Sequence, residues 1–183
     1  MVRRLLFGAL AVAAILILTS AIYVLEKPPA PQPSVSAQMA LTSDDLGLGW
    51  TGVTSPEPYD FDASETQLTN ATFEAFVWLV VFDNITECEC WFQNGTVPLI
   101  QPNMTVLSIT LGDEASLCYY GPSDEPRVHL MFAKDNIGCN IITGNIMLDS
   151  YKEKPWWINT ATWIASLQLQ KINQYLAQHP GAS

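Results

Sequence analysis

The chain has 183 residues, 49% of them hydrophobic, and carries 18 acidic residues against 8 lysines and arginines for a formal net charge of −10. That length fits one domain of ordinary size beyond any targeting segment. The acidic balance leaves no basic stripe for nucleic acid, so no nucleic-acid partner is expected, and it disfavours an anionic lipid surface.

The N-terminus reads "MVRRLLFGALAVAAILILTSAIYVLEK", with Arg3 and Arg4 before an uncharged run from Leu5 to Leu25. At 1.5 Å per helical residue, this run of about 21 residues reaches roughly 31 Å, close to the hydrocarbon thickness of a bilayer. Residues 1–26 are therefore read as a single transmembrane anchor, its arginines held in the cytoplasm and the remainder outside. A cleaved signal peptide is the alternative, with Thr19–Ala21 as a weak cleavage site. Both readings put the rest of the chain outside the cytoplasm; the anchor makes it a single-pass cell-membrane protein. "KPPAPQPSVSAQ" follows, and its prolines forbid a helix and favour an extended spacer. Residues 27–40 are expected to be linker, 41–178 the folded domain, and 179–183 a tail.

Within the domain, "LTSDDLGLGW" predicts a short helical turn capped by Thr42, favoured by Asp44 and Asp45 and stopped by Gly47 and Gly49. "TGVTSPEPYDFDASET" reads as a loop punctuated by Pro56 and Pro58. "ATFEAFVWLVVFD" predicts a long buried strand over 71–83. "DNITECECWFQN" fits a helix capped by Asp83 or Asn84 and stopped by Gly95, or else a strand; the cap and stop favour the helix. In a helix Cys88 and Cys90 point about 160° apart, whereas in a strand they share a face. Four segments then predict an antiparallel meander: 105–112, 115–121, 127–133 with Val128, Leu130 and Phe132 on one face, and 139–148, with Gly144 as the place for a bulge. "KDNIG" supplies the turn between the last two. The final element is a helix over Thr160–Ala177, with Ile158, Ala161, Ala165, Leu169, Ile172 and Leu176 in one stripe against the sheet.

Cys88, Cys90, Cys118 and Cys139 are the four cysteines. Outside the cytoplasm an even number reads first as disulfides. A Cys88–Cys90 bond would close a very small strained ring. This leaves 88–118 with 90–139, or 88–139 with 90–118, each bridge worth about 3–4 kcal/mol in the chain-entropy account. Zinc is the alternative, although structural sites favour Cys-x2–4-Cys knuckles. The redox motif Cys-x-x-Cys is absent. Four Asn-x-Thr triplets, at Asn70, Asn84, Asn94 and Asn103, mark glycosylation sites on an outer surface.

Catalytic signals are poor. His129 alternates within a strand and reads as a sheet-face residue, and His179 lies near the C-terminus. Asp113 and Glu114 form a carboxylate pair that reads as a solvated turn, and Glu87 and Glu89 read as surface charge. HExxH, GxSxG and a phosphate-cradling glycine loop are absent, so neither catalysis nor a cofactor nor a bound metal is expected. Trp163 and Leu167 fall opposite the helix stripe. With Trp156 and Trp157 just upstream they form a candidate partner patch, the other reading being burial under a loop or ordinary surface exposure.

"LTSDDLGLGW", "LGDEASL", "HLMFAKDNIGCNI" and "WIASLQLQKI" occur in that order. The set resembles a group of archaeal and bacterial membrane-anchored extracytoplasmic domains of unknown function. It is also similar to PsbP-like proteins and to the extracellular sensor domains of mycobacterial serine/threonine kinases. Where the group has Lys-Gly-Asn, this chain has Lys134-Asp135-Asn136. The resemblance covers most of residues 41–176 and implies an antiparallel sheet with helices packed on it, but no catalytic residue. The expected architecture is thus α+β: an antiparallel β-sheet of about five or six strands, a C-terminal helix and one or two short helices, behind a single transmembrane helix. The expected role is a glycosylated cell-surface domain binding a small ligand in the manner of a sensor. The alternative is a structural or accessory subunit that joins another membrane or surface-layer protein.

Overall fold

The computed structural model describes residues 33–57, 61–96, 104–120, 126–145 and 154–181. Within them, strands form at Thr51–Pro56 (β1), Asp62–Thr69 (β2), Phe73–Val81 (β3), Met104–Leu107 (β4), Glu114–Tyr120 (β5), Arg127–Lys134 (β6) and Ile137–Asn145 (β7). Helices form at Val35–Met39 (α1), Ser43–Leu46 (α2), Ile85–Thr96 (α3) and Lys154–Gln178 (α4). The strands make one antiparallel sheet of seven in the order β1-β2-β3-β7-β6-β5-β4. Two runs of consecutive hairpins, β1–β3 and β4–β7, therefore meet where β7 pairs with β3. The expected α+β class and the meander through β4–β7 are both present.

The sheet has two faces because strand side chains alternate with a period of two. On the first face, β3 presents Phe73, Ala75, Val77 and Leu79, all at most 1% exposed. Leu79 pairs with Cys139 and Cys139 with Phe132, so β7 and β6 put Cys139, Ile141, Leu130 and Phe132 on that same face. Helix α4 covers it with Trp157, Ala161, Ile164, Ala165 and Ile172. Burying each large side chain there contributes roughly 1.5–3 kcal/mol. The second face carries the intervening residues. Cys88 and Phe92 of α3 pack there on Met131 and Ala133 of β6, with Phe82 and Trp91 at the margin.

Several expectations are corrected. Within the stretch 51–66 expected to be a loop, residues 51–56 form β1 and residues 62–66 belong to β2, which raises the strand count to seven among the described residues. All six β1 residues are exposed, so this edge strand has no apolar alternation to betray it. The expected linker is cut short: the compact unit begins at Pro33, and α1 lies inside the range assigned to linker. Ser34 Oγ accepts from Ala37 N at 3.2 Å, and the Asp62 carboxylate accepts from Val35 N at 2.8 Å and Ser36 N at 3.0 Å. Together they satisfy the free amides of the first turn. Gln168 Nε2 donates to Met39 O at 2.8 Å, and Lys171 Nζ donates to Ala40 O and to Asp45 Oδ2, both at 2.7 Å. The last helix starts at Lys154 rather than Thr160, and β7 pairs with β3 without a bulge from Ile137 to Asn145. Helix α3 is a helix, as favoured, but runs past Gly95 to Thr96. No helix among the described residues is long and apolar enough to cross a membrane. The anchor expected over 1–26 lies outside them.

Candidate functional site

Three local features position α3 on the second face. Asn84 Oδ1 accepts from Glu87 N at 3.0 Å and caps the helix. The β6–β7 turn holds the end of β3: Phe82 N donates to Asn136 O at 2.9 Å, and Asn136 Nδ2 donates to Phe82 O at 2.7 Å. Asp135 takes the left-handed conformation that the turn requires, with φ 54°. Finally, Gly138 of β7 lets Trp91 rest on the strand; a Cβ at that position would come within 2.6 Å of Trp91 Cζ3.

At 1.5 Å per residue, the 12 residues of α3 reach about 18 Å. Seven strands spaced about 4.8 Å apart span roughly 29 Å. The helix cannot cover the whole second face. Beside it lies an open hollow of about 400 Å³. Ala63, Val80 and Ile142 contribute apolar surface, and Trp78 and Trp91 supply indole walls. Glu57 and Phe61 line it from the β1–β2 side, and Asn140 from β7. Trp78 stacks on Phe76, centroids 5.7 Å apart and planes at 22°. Asn140 Oδ1 is hydrogen-bonded to His129 Nε2 across β6 and β7. Burial pushes the His129 imidazole below its ordinary value, and the Asn140 contact only partly offsets that. A second hollow of about 490 Å³ shares Phe61 and is lined also by Asp62, Phe82, Asp83 and Glu87.

The sequence did not single out Trp78, Trp91, Phe61, Glu57 or Asn140. One signal was present: Phe76 and Trp78 alternate with Phe73, Ala75 and Val77, so β3 has apolar side chains on both faces. The second set therefore needed either a cover or a use.

The expected disulfides are not formed, and all four thiols are free. Cys139 faces α4, whereas Cys88 and Cys118 lie on the other face and Cys90 is exposed. Both two-bridge arrangements require Cys139 to cross the sheet, so the sheet itself forbids them. The same separation keeps the four thiols from converging on one zinc ion. Burial, with the Glu114, Glu89 and Asp113 carboxylates, pushes the Cys88 thiol up to about 12, and burial alone drives Cys139 well above its ordinary value.

The expected partner patch is largely core. Trp157 is 1% exposed; Trp156 and Leu167 are partly buried against the same core. Phe73 joins Trp50, Trp156 and Trp157, with ring centroids 5.4–5.7 Å away. Trp163 alone of the four is exposed, at 40%, with Trp50 6.1 Å from it.

Of the glycosylation sites, Asn84, which caps α3, and Asn94 within it are both exposed. Asn70 sits in the β2–β3 turn, its Oδ1 accepting from Thr72 N and Phe73 N at 2.9 Å. Asn103 lies outside the described residues. Asp113 accepts from Asp135 N at 2.7 Å and pairs with Lys134 at 3.0 Å; Glu87, Glu89 and Glu114 are exposed. His179 stacks on Tyr175 at the end of α4.

The fold is similar to a solved one, the crystal structure of the extracellular domain of PknH from Mycobacterium tuberculosis. The TM-score is 0.51 at 11% identity, with 78% of this chain and 98% of that chain covered. No protein-family model matches the chain, and no curated protein matches it in sequence. The expected likeness to mycobacterial kinase extracellular domains thus holds for the fold.

Proposed function

We propose that the chain is a membrane-tethered cell-surface module with a sensor-like binding role, and that the hollow between Trp78 and Trp91 takes a small ligand. The observation that carries this reading is the half-open second face. It leaves aromatic walls and an amide around an apolar floor, the composition expected of a small-molecule site. The fold likeness to an extracellular domain and the apolar stretch ahead of the proline-rich segment support the setting outside the cell. Binding rather than catalysis fits the titratable groups, since His129 is held by Asn140 and Asp113 by Lys134 and a backbone amide. Asn84 and Asn94 are the proposed glycan acceptors, checked by the intact mass before and after deglycosylation.

The test is native mass spectrometry of the full chain extracted from its own membranes. A retained small molecule, lost in Trp78→Ala, is the expected result. A ligand-free spectrum for the natural protein, or an equal load on Trp78→Ala, contradicts it. The accessory-subunit reading has one observation of its own, the exposed Trp163 beside Trp50. It predicts a stoichiometric membrane-protein partner that is lost in Trp163→Gln.

A further inference from the structure

We infer that the ligand of the Trp78–Trp91 hollow is a small organic cation with a fully alkylated ammonium group. The inference rests on the binding reading above and names the chemistry of its ligand. Indole and phenyl faces attract cations through their quadrupole, tryptophan most strongly. Here Trp78 comes from β3, Trp91 from α3 and Phe61 from the residue just before β2, so three separate parts of the chain bring aromatic rings to one hollow.

The charge around it has one sign. Glu57 lines the hollow, and Glu65 stands directly across the strand pair from Trp78 on the same face. Asp83 and Glu87 line the adjoining hollow beyond Phe61. Among the described residues no lysine or arginine lines either hollow. The chain's net charge of −10 raises the local concentration of cations further.

The apolar floor selects the kind of cation. A primary ammonium brings three N–H donors that need partners. In this hollow one lone pair of Asn140 Oδ1 is engaged by His129, and the side chains of Ala63, Val80 and Ile142 offer no acceptor. Glu57 remains as the carboxylate. A quaternary nitrogen donates no hydrogen bond, presents methyl groups to the apolar floor and keeps its charge for the rings and Glu57. A metal ion fits less well, because no three His, Cys, Asp or Glu side chains converge among the described residues.

The experiment is a titration of the full chain in non-ionic detergent, read by tryptophan fluorescence and calorimetry. The probes are choline and its uncharged carbon isostere, 3,3-dimethylbutan-1-ol. Choline is expected to saturate, with the isostere about tenfold weaker or more. Glu57→Gln, a lining substitution that removes charge and little volume, is expected to weaken choline several-fold more than it weakens the isostere. Equal affinity for the two probes overturns the cationic ligand while leaving the hollow a binding site. No saturable response to choline also overturns it; the broader binding reading is then decided separately by the retained mass and the Trp78→Ala comparison.

Discussion

On the α4 side of the sheet, Phe73, Phe132 and Ile141 are fully buried beneath a helix of 25 residues. On the α3 side, Phe76, Trp78 and Ile142 are only half-buried beside a helix of 12. The strands are the same; the length of the covering helix is not. At 1.5 Å per residue, α4 reaches about 37 Å and α3 about 18 Å. One face can therefore supply the core, while the other keeps a hollow walled by side chains that a larger cover would have buried. The difference assigns stability to the first face and binding to the second.

The largest test of that division is a pair of truncations. Phe73→Ala removes a ring packed among Trp50, Trp156 and Trp157, and is expected to cost about 3–5 kcal/mol in urea unfolding. Trp78→Ala, on the half-covered face, is expected to cost about 1–2 kcal/mol. Equal costs would erase the contrast.

Cysteines sharpen it at smaller scale. Cys139→Ser places a hydroxyl in the α4-side core and is expected to cost about 1–3 kcal/mol, whereas Cys90→Ser stays within about 0.5 kcal/mol. Unreduced, denatured protein should titrate as four thiols. In the folded protein near pH 8, iodoacetamide should label exposed Cys90 first, because buried Cys88 and Cys139 are held as neutral thiols.

Acid tests the second face next. Burial lowers the folded-state value of His129, so below its ordinary value near 6.5 the unfolded chain takes up the proton more readily. Stability is then expected to fall as pH drops through that value. His129→Gln should flatten the slope between pH 7.5 and 5.5, and an unchanged slope would remove His129 from the account.

The smallest expected effect is at the surface. Burial raises the Asp113 carboxyl, but the Asp135 amide and Lys134 outweigh it and hold it below its ordinary value of 3.8. Its contribution is present above that value and is lost as pH falls through the lowered folded one. Because the pair is well exposed, Asp113→Asn is expected to cost less than about 1 kcal/mol at neutral pH, measured by urea unfolding.

Legibility in the sequence followed locality. Helix α2 was readable because Thr42 N and Oγ1 bond Asp45 three residues on, at 2.6 and 2.7 Å. Strands β3 and β6 were readable from apolar runs and alternation. The β1–β2 hairpin was hidden because its core side carries Ser64 and Thr66, the latter bonded to Thr54 at 3.0 Å. Helix α1 was hidden because its N-terminal partner, Asp62, lies 27 residues from Val35. The hollow was the least readable feature. Its residues come from the β1–β2 hairpin, β3, α3 and β7, and only the β3–β7 pairing brings Asn140 beside Trp78. The cysteines failed for a related reason: counting them predicts bridges, but strand alternation puts Cys139 on the wrong face.

The most direct measurement follows the six tryptophan indole N–H signals of the full chain by NMR during a choline titration. The account predicts that the Trp78 and Trp91 signals shift together and saturably while buried Trp157 stays in place. Shifts at Trp50 and Trp163, with Trp78 and Trp91 unmoved, would contradict it and place binding on the other face.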